Sequence, residues 1–274
     1  MLIFLRGLSY LPLWLLYGLF SPLAYVVLRF VLRYRRAVVT KNLRNAFPEL
    51  SQAELKRLRT KYYRHLAILL PEVIKSLSAS QDELVKRVSF VNPEILKPLT
   101  DAKQSAMFLA AHHCNWEWIG LTLGHYLGAP VDSLYRPLHN ATGDALMLAS
   151  RSRFGSRPIT DKSAAKTMLR RRKEFRGFGL VADQRPNPWG EQYWTTFLNQ
   201  RSSFFVGPDR LARLLKYPVF MLAMRRVSLG YYEVEIVPLA SPPYDEDQEN
   251  IVELYVREAE KAIHQQPETY LWSH

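Results

Sequence analysis

Between Arg6 and Arg29 the chain runs for 22 residues, Gly7 to Leu28, without a charged side chain. About 20 apolar residues of helix cross the hydrocarbon core of a bilayer, so this run predicts a membrane segment. It is too long for the apolar part of a signal peptide, and no convincing small-residue cleavage site follows it. Pro12, Ser21 and Pro22 would kink it or make it re-entrant, which leaves crossing and interfacial insertion both open. A buried hairpin of core helices is the alternative that needs no membrane. The first 48 residues carry seven basic groups, Arg6, Arg29, Arg33, Arg35, Arg36, Lys41 and Arg44, and no acid. Six of the seven follow the apolar run. The positive-inside rule therefore puts residues 29 onward on the cytoplasmic face, against an anionic membrane surface. The expected division is an anchor over residues 1–34 and a folded domain over residues 35–274.

The chain has 274 residues, of which 48% are hydrophobic, enough for a sizeable core and too apolar for a disordered chain. The single cysteine, Cys114, excludes a disulfide framework and the Cys-rich zinc modules. A net charge of +12 asks for an acidic partner. Nucleic acid is not that partner: the run Lys166, Arg170, Arg171, Arg172, Lys173 and Arg176 has no helix-turn-helix or RNP-like signature beside it. A solvated helix face that meets phospholipid or an acidic carrier protein is the better reading.

Past the anchor, helix and strand patterns alternate. Ser51 and Glu54 form a capping box ahead of helically spaced Leu58, Tyr62, Leu66, Leu69, Leu70 and Val73. Strand-like runs follow at Ser105 to Ala111, Val131 to Tyr135, Gly179 to Ala182, Pro218 to Met224 and Tyr231 to Val237. Helical patterns at Trp116 to Leu127, Ala141 to Arg153, Ala164 to Lys173, Pro208 to Leu215 and Ile251 to Ile263 separate most of them. The fold class is α/β, with a mixed, mainly parallel central sheet flanked by helices and a terminal antiparallel hairpin. Ligands of such sheets lie beyond the carboxyl ends of the strands, which is where chemistry is sought.

At the first such position stand His112, His113, Cys114, Asn115, Trp116 and Glu117. In one continuous helix His112 and Glu117 would point about 140° apart. With His112 ending the strand and Asn115 capping the helix, Glu117 falls in the first turn and can fold back toward the imidazole. A carboxylate on one ring nitrogen fixes the tautomer, and the other nitrogen becomes a general base for an incoming hydroxyl. Two competing chemistries start from the same stretch. Cys114 would form an acyl-enzyme, and His113 with Glu117 and Asp183 would hold a metal, but no HExxH-type motif supports the second, so no metal is expected.

His-x4-Glu between an apolar strand and a helix resembles the H-x4-D/E motif of the glycerolipid acyltransferase superfamily, in particular its lipid A biosynthesis (lauroyl/myristoyl) acyltransferase-like branch. The resemblance covers nearly the whole chain: Tyr34-Arg35-Arg36, Lys41-Asn42-Leu43, Ala46-Phe47-Pro48, Tyr135-Arg136-Pro137 with Asn140, Arg153-Phe154-Gly155, Ala182-Asp183-Gln184, Phe205 to Leu215 and Tyr217-Pro218-Val219. His113 and Cys114 stand at positions that vary in the family, and relatives usually continue beyond Trp272-Ser273-His274 with a basic tail.

The resemblance implies a glycerol-3-phosphate acyltransferase-like fold and an O-acyltransferase at the bacterial inner membrane, its catalytic domain on the cytoplasmic face. It moves a fatty acyl group from an acyl carrier protein or coenzyme A thioester, a co-substrate rather than a bound cofactor, to a hydroxyl of a membrane lipid or glycolipid. His112 is then the base and Glu117 its orienting acid. Arg136, or backbone amides near Asn115, would meet the oxyanion. Asp183 and Gln184 would hydrogen-bond the acceptor or order Arg136, with Asn140 a further contact. Arg136 has an ordinary salt bridge, to Asp183, as its structural alternative. A non-catalytic lipid-binding or assembly protein on the same fold is the second class of function, and a (thio)esterase the third.

Overall fold

Seven strands form one sheet in the computed structural model, which describes all residues except 1, 187, 188 and 246. Numbered in chain order, they are β1 (Val88–Phe90), β2 (Ala106–Ala110), β3 (Val131–Tyr135), β4 (Ile159–Thr160), β5 (Gly177–Val181), β8 (Val219–Ser228) and β9 (Tyr231–Ala240). Their spatial order is β1-β9-β8-β2-β5-β3-β4. All neighbours are parallel except the hairpin β8–β9. Strand β2 lies at the centre and is buried along its whole length. Its alternate residues serve two cores: Met107 and Leu109 face one, Ala106, Phe108 and Ala110 the other.

The helices that cover the sheet are α7 (Trp116–Leu127), α8 (Ala141–Arg151), α9 (Ala164–Arg171), α10 (Gly207–Leu215) and α11 (Ile251–Gln265). Ahead of them come α1 (Leu2–Ser9), α2 (Leu13–Val26) running into a π-helical turn at Val27–Val31, α3 (Arg36–Ala46), α4 (Gln52–Lys75), α5 (Gln81–Arg87) and α6 (Lys97–Ala102). The capping box at the start of α4 is formed in both directions between Ser51 and Glu54. Leu13 and Leu16 of α2 belong to the same core as Phe108, Trp118 and Val234, so the N-terminal helix packs on the domain.

A second, two-stranded sheet lies outside the sequence-based expectation: β6 (Gln192–Phe197) pairs with β7 (Gln200–Phe205). Its two-residue turn, Leu198 and Asn199, has φ of 49° and 60°. That is type I′ geometry without the Asn-Gly pair that usually announces it.

Candidate active site

Two adjacent parallel strands build the site. Ala110 of β2 is in register with Val181 of β5, and two residues further along each strand stand His112 and Asp183. The carboxylate of Asp183 takes both hydrogens that His112 offers on this side. Its Oδ1 is 2.6 Å from the imidazole Nδ1, and its Oδ2 accepts from the His112 backbone N–H at 3.0 Å. Asp183 has a fully buried side chain. Burial alone would raise its pKa, but the neighbouring His112 and hydrogen bonds from His112 and His274 hold the carboxyl far below the usual range. An ionised carboxylate at Nδ1 requires the Nδ1–H tautomer, so the lone pair of His112 sits on Nε2, where the Gln184 amide donates to it at 3.2 Å.

His274 completes the cluster. Its Nε2 lies 3.5 Å from Asp183 Oδ2 and 3.2 Å from the Tyr270 hydroxyl. Burial would lower its pKa, yet the Asp183 carboxylate raises it above the ordinary histidine value. Arg35, just ahead of α3, and Asn42 within it hold this C-terminal segment in place: Arg35 Nη1 donates to the Ser273 carbonyl at 2.7 Å, and Asn42 Nδ2 to the Trp272 and His274 carbonyls. The ligand-type atoms of His112, Asp183 and His274 lie within 4.8 Å of one another, a spacing that their hydrogen bonds account for.

The expected contact between Glu117 and His112 is corrected. The Glu117 carboxylate is buried, gripped by Arg151 at 2.9 and 2.6 Å, and accepts from the Trp116 indole at 2.8 Å. The indole in turn packs edge-to-face on the His112 ring, with centroids 5.0 Å apart. Glu117 therefore reaches His112 through Trp116, while Asp183 makes the direct bond. The physical reason is the strand register: the end of β5 delivers the Asp183 carboxylate to Nδ1, and Arg151 of α8 claims the other one.

Asn115 is also corrected as an oxyanion or substrate ligand. It is buried and caps α7, its Oδ1 accepting from Trp118 N and its Nδ2 donating to Glu72 at 2.6 Å. The backbone amides expected near it are spent as well, since His113, Cys114 and Asn115 N–H bond Ala111 O, Thr269 O and Met224 Sδ. Asn140 is an exposed helix cap for α8, bonded to Gly143 N. Arg136 bonds Asp161 at 3.0 Å rather than Asp183, is half exposed and lies over the Phe205 ring. Burial pushes the Cys114 thiol up to about 12, and it faces Thr269 and the Met224 carbonyl, which keeps it protonated and shut off from the surface. His113 bonds Thr269 and the Gln266 carbonyl rather than Glu117 or Asp183.

Beside the cluster lies a cavity of about 660 Å³, lined by Asp183, Gln184, His274 and the cations Arg35, Arg185 and Arg201. Two apolar spaces adjoin the strand ends. One, about 70 Å³, runs between α7 and the sheet from Trp116 and Glu117 past Gly120 and Gly179 to Phe108. The other, about 180 Å³, lies beside Gln184, Arg136, Phe205 and Leu211. Sequence reasoning missed His274 and Arg151. The first follows the last helix with no motif around it, and the second is one of many arginines.

An imidazole with a fixed tautomer and a buried carboxylate behind it, whose neighbours Gln184 and His274 line a cationic cavity, can activate a hydroxyl. The family described as bacterial lipid A biosynthesis acyltransferases matches the chain from residue 1 to residue 274. The chain belongs to that family. It is an acyltransferase that acts on a lipid acceptor. Among relatives, the lipid A biosynthesis lauroyltransferase of Escherichia coli (strain K12) is 24% identical over 266 residues, which cover 96% of this chain and 85% of that protein.

Proposed function

We propose that this acyltransferase moves an acyl group from an acyl carrier protein or coenzyme A thioester to a hydroxyl of a lipid A-type glycolipid, with His112 as general base and Asp183 as the acid that orients it. The 2.6 Å bond between Asp183 Oδ1 and His112 Nδ1 carries this reading. The acceptor hydroxyl takes the place of the Gln184 amide at Nε2. It gives its proton to His112 as its oxygen attacks the thioester carbonyl. The tetrahedral intermediate collapses with loss of the thiolate, which recovers the proton from the imidazolium. Ionised Asp183 stabilises that imidazolium, and Gln184, displaced from the ring, donates to the acceptor oxygen. Glu117 and Arg151 fix Trp116 against the imidazole as positioning residues. The cations of the cavity, Arg35, Arg185 and Arg201, suit an acceptor with anionic head groups. The thioester's acyl chain takes the seam between α7 and the sheet, where Gly120 and Gly179 leave room.

Purified protein given a long-chain acyl carrier thioester and a lipid A precursor should yield a product heavier by one acyl unit, detected by mass spectrometry. His112→Ala should not. Acyl transfer that persists in His112→Ala rejects the base assignment, and thioester hydrolysis without transfer in the wild type favours an esterase.

A further inference from the structure

We infer that the N-terminal apolar helix does not cross the membrane: it lies in the plane of one leaflet, as a foot on which the catalytic domain rests. By length and hydropathy Leu13–Val31 qualifies as a span, with a mean hydropathy of 1.6. Its contacts forbid the crossing. Helix α2 runs antiparallel to α4, and ties to α4 are made from α2 and from the residues just before and after it. Lys75 Nζ donates to the Leu11 carbonyl, Tyr17 OH donates to Glu72 Oε1 at 2.6 Å, Arg64 lies over the Tyr25 ring, and Tyr63 OH donates to the Tyr34 carbonyl. From Tyr63 to Lys75, α4 stays beside α2 for about 18 Å at 1.5 Å per residue. A vertical α2 would draw the exposed guanidinium of Arg64 into hydrocarbon, where a charged group is expensive, and would carry the protein-buried Glu72 and Lys75 to membrane depth with it. Glu72 also binds Tyr232 of β9 and Asn115 beside the site, so the sheet itself would follow.

The exposed surface of α2 shows where lipid meets it. Trp14, Leu19, Leu23, Val26 and Phe30 are between 47% and 73% exposed. At 100° per residue they occupy one half of the helix circumference, and buried Leu13 and Leu16 lie in the other. Arg33, Arg36, Lys41 and Arg44 follow directly, exposed and without an acid until Glu49, which matches an anionic head-group layer above one leaflet. This goes beyond the catalytic reading and does not depend on it.

Spin labels at Trp14→Cys, Leu23→Cys and Phe30→Cys, each in protein bound to vesicles of phosphatidylethanolamine and phosphatidylglycerol, test the geometry by their depth. All three sites are exposed, and the native Cys114 is fully buried, so an unlabelled Cys114 reports an intact fold. Lying in the plane, the three labels should share one depth, about 5–10 Å below the head groups. Crossing would separate positions 14 and 30 by about 24 Å along the bilayer normal, with position 23 near the midplane. That profile overturns the inference, as does finding all three labels in water.

Discussion

At the scale of single residues, the carboxylate that serves the imidazole is the one the strands deliver. Asp183→Asn keeps the shape but loses the charge that fixes the Nδ1–H tautomer, so kcat should fall by about 10²–10⁴, as for His112→Ala. Glu117→Ala and Arg151→Ala should each lower kcat by up to about 10² through a displaced Trp116. Because the two act as a unit, the double variant should be no slower than either single one; additive losses in steady-state kinetics would show that Glu117 acts on the substrate directly. The titration of His274 gives a separate prediction. Its folded pKa is raised, so the stability it contributes is fully present below about pH 6.5 and is lost as pH rises through the folded value. Denaturant midpoints of wild type and His274→Gln should therefore differ more at pH 6 than at pH 9. His65 and His113 have their pKa lowered by burial, and they lose stability on the acid side in both proteins. His112 was legible from its place after an apolar strand. Its partner was not, because Asp183 is 71 residues away and only the pairing of β2 with β5 reveals the contact.

Elements were legible where periodicity and caps agree, as in α4 with its capping box and in β2 with two buried faces. The hairpin β6–β7 was not, since its turn residues are Leu198 and Asn199 and its strand positions are only partly buried. Helix α7 carries a testable consequence. A Cβ on Gly120 would meet nothing closer than Ser133 Oγ at 3.8 Å, so a side chain there enters the apolar seam without disturbing the backbone. Gly120→Leu should fold normally and shift transfer toward shorter acyl chains, read by competition among carrier thioesters of different length; unchanged chain preference would move the acyl seat to the groove beside Phe205. The junction between α2, α4, α7 and β9 makes the second consequence. Glu72 is fully buried and accepts from Tyr17, Asn115 and Tyr232, with its pKa raised by burial against those bonds. Glu72→Ala strands three buried donors and should cost about 3 kcal/mol in denaturant unfolding.

For the whole molecule, charge and apolar surface occupy the same side. Exposed Arg33, Arg36, Lys41 and Arg44 of the α3 region stand next to exposed Lys56, Arg57, Lys61 and Arg64 of α4, and the bare face of α2 adjoins them. Burial and the nearby Arg36 and Arg29 lower the pKa of Arg59, the mark of like charges gathered without enough counter-charge. The site's cavity has Arg35 and Asn42, residues of this same region, in its wall. Each cation near an anionic membrane contributes about 1 kcal/mol, and raising salt from about 0.1 to 1 M shortens the Debye length from about 10 to 3 Å. The protein should therefore sediment with phosphatidylglycerol-containing vesicles at low salt and leave them progressively as salt rises. The variant Arg33→Glu/Arg36→Glu/Arg44→Glu should bind weakly even at low salt. Omitting the thioester donor from the assay removes any docking of an acidic carrier from the comparison. The apolar face of α2 sets the floor: binding that survives at high salt measures its insertion, and Leu19→Ser/Leu23→Ser should abolish that remainder. Equal binding of the charge-reversed protein would mean that insertion alone holds the enzyme and that its excess positive charge serves the carrier instead.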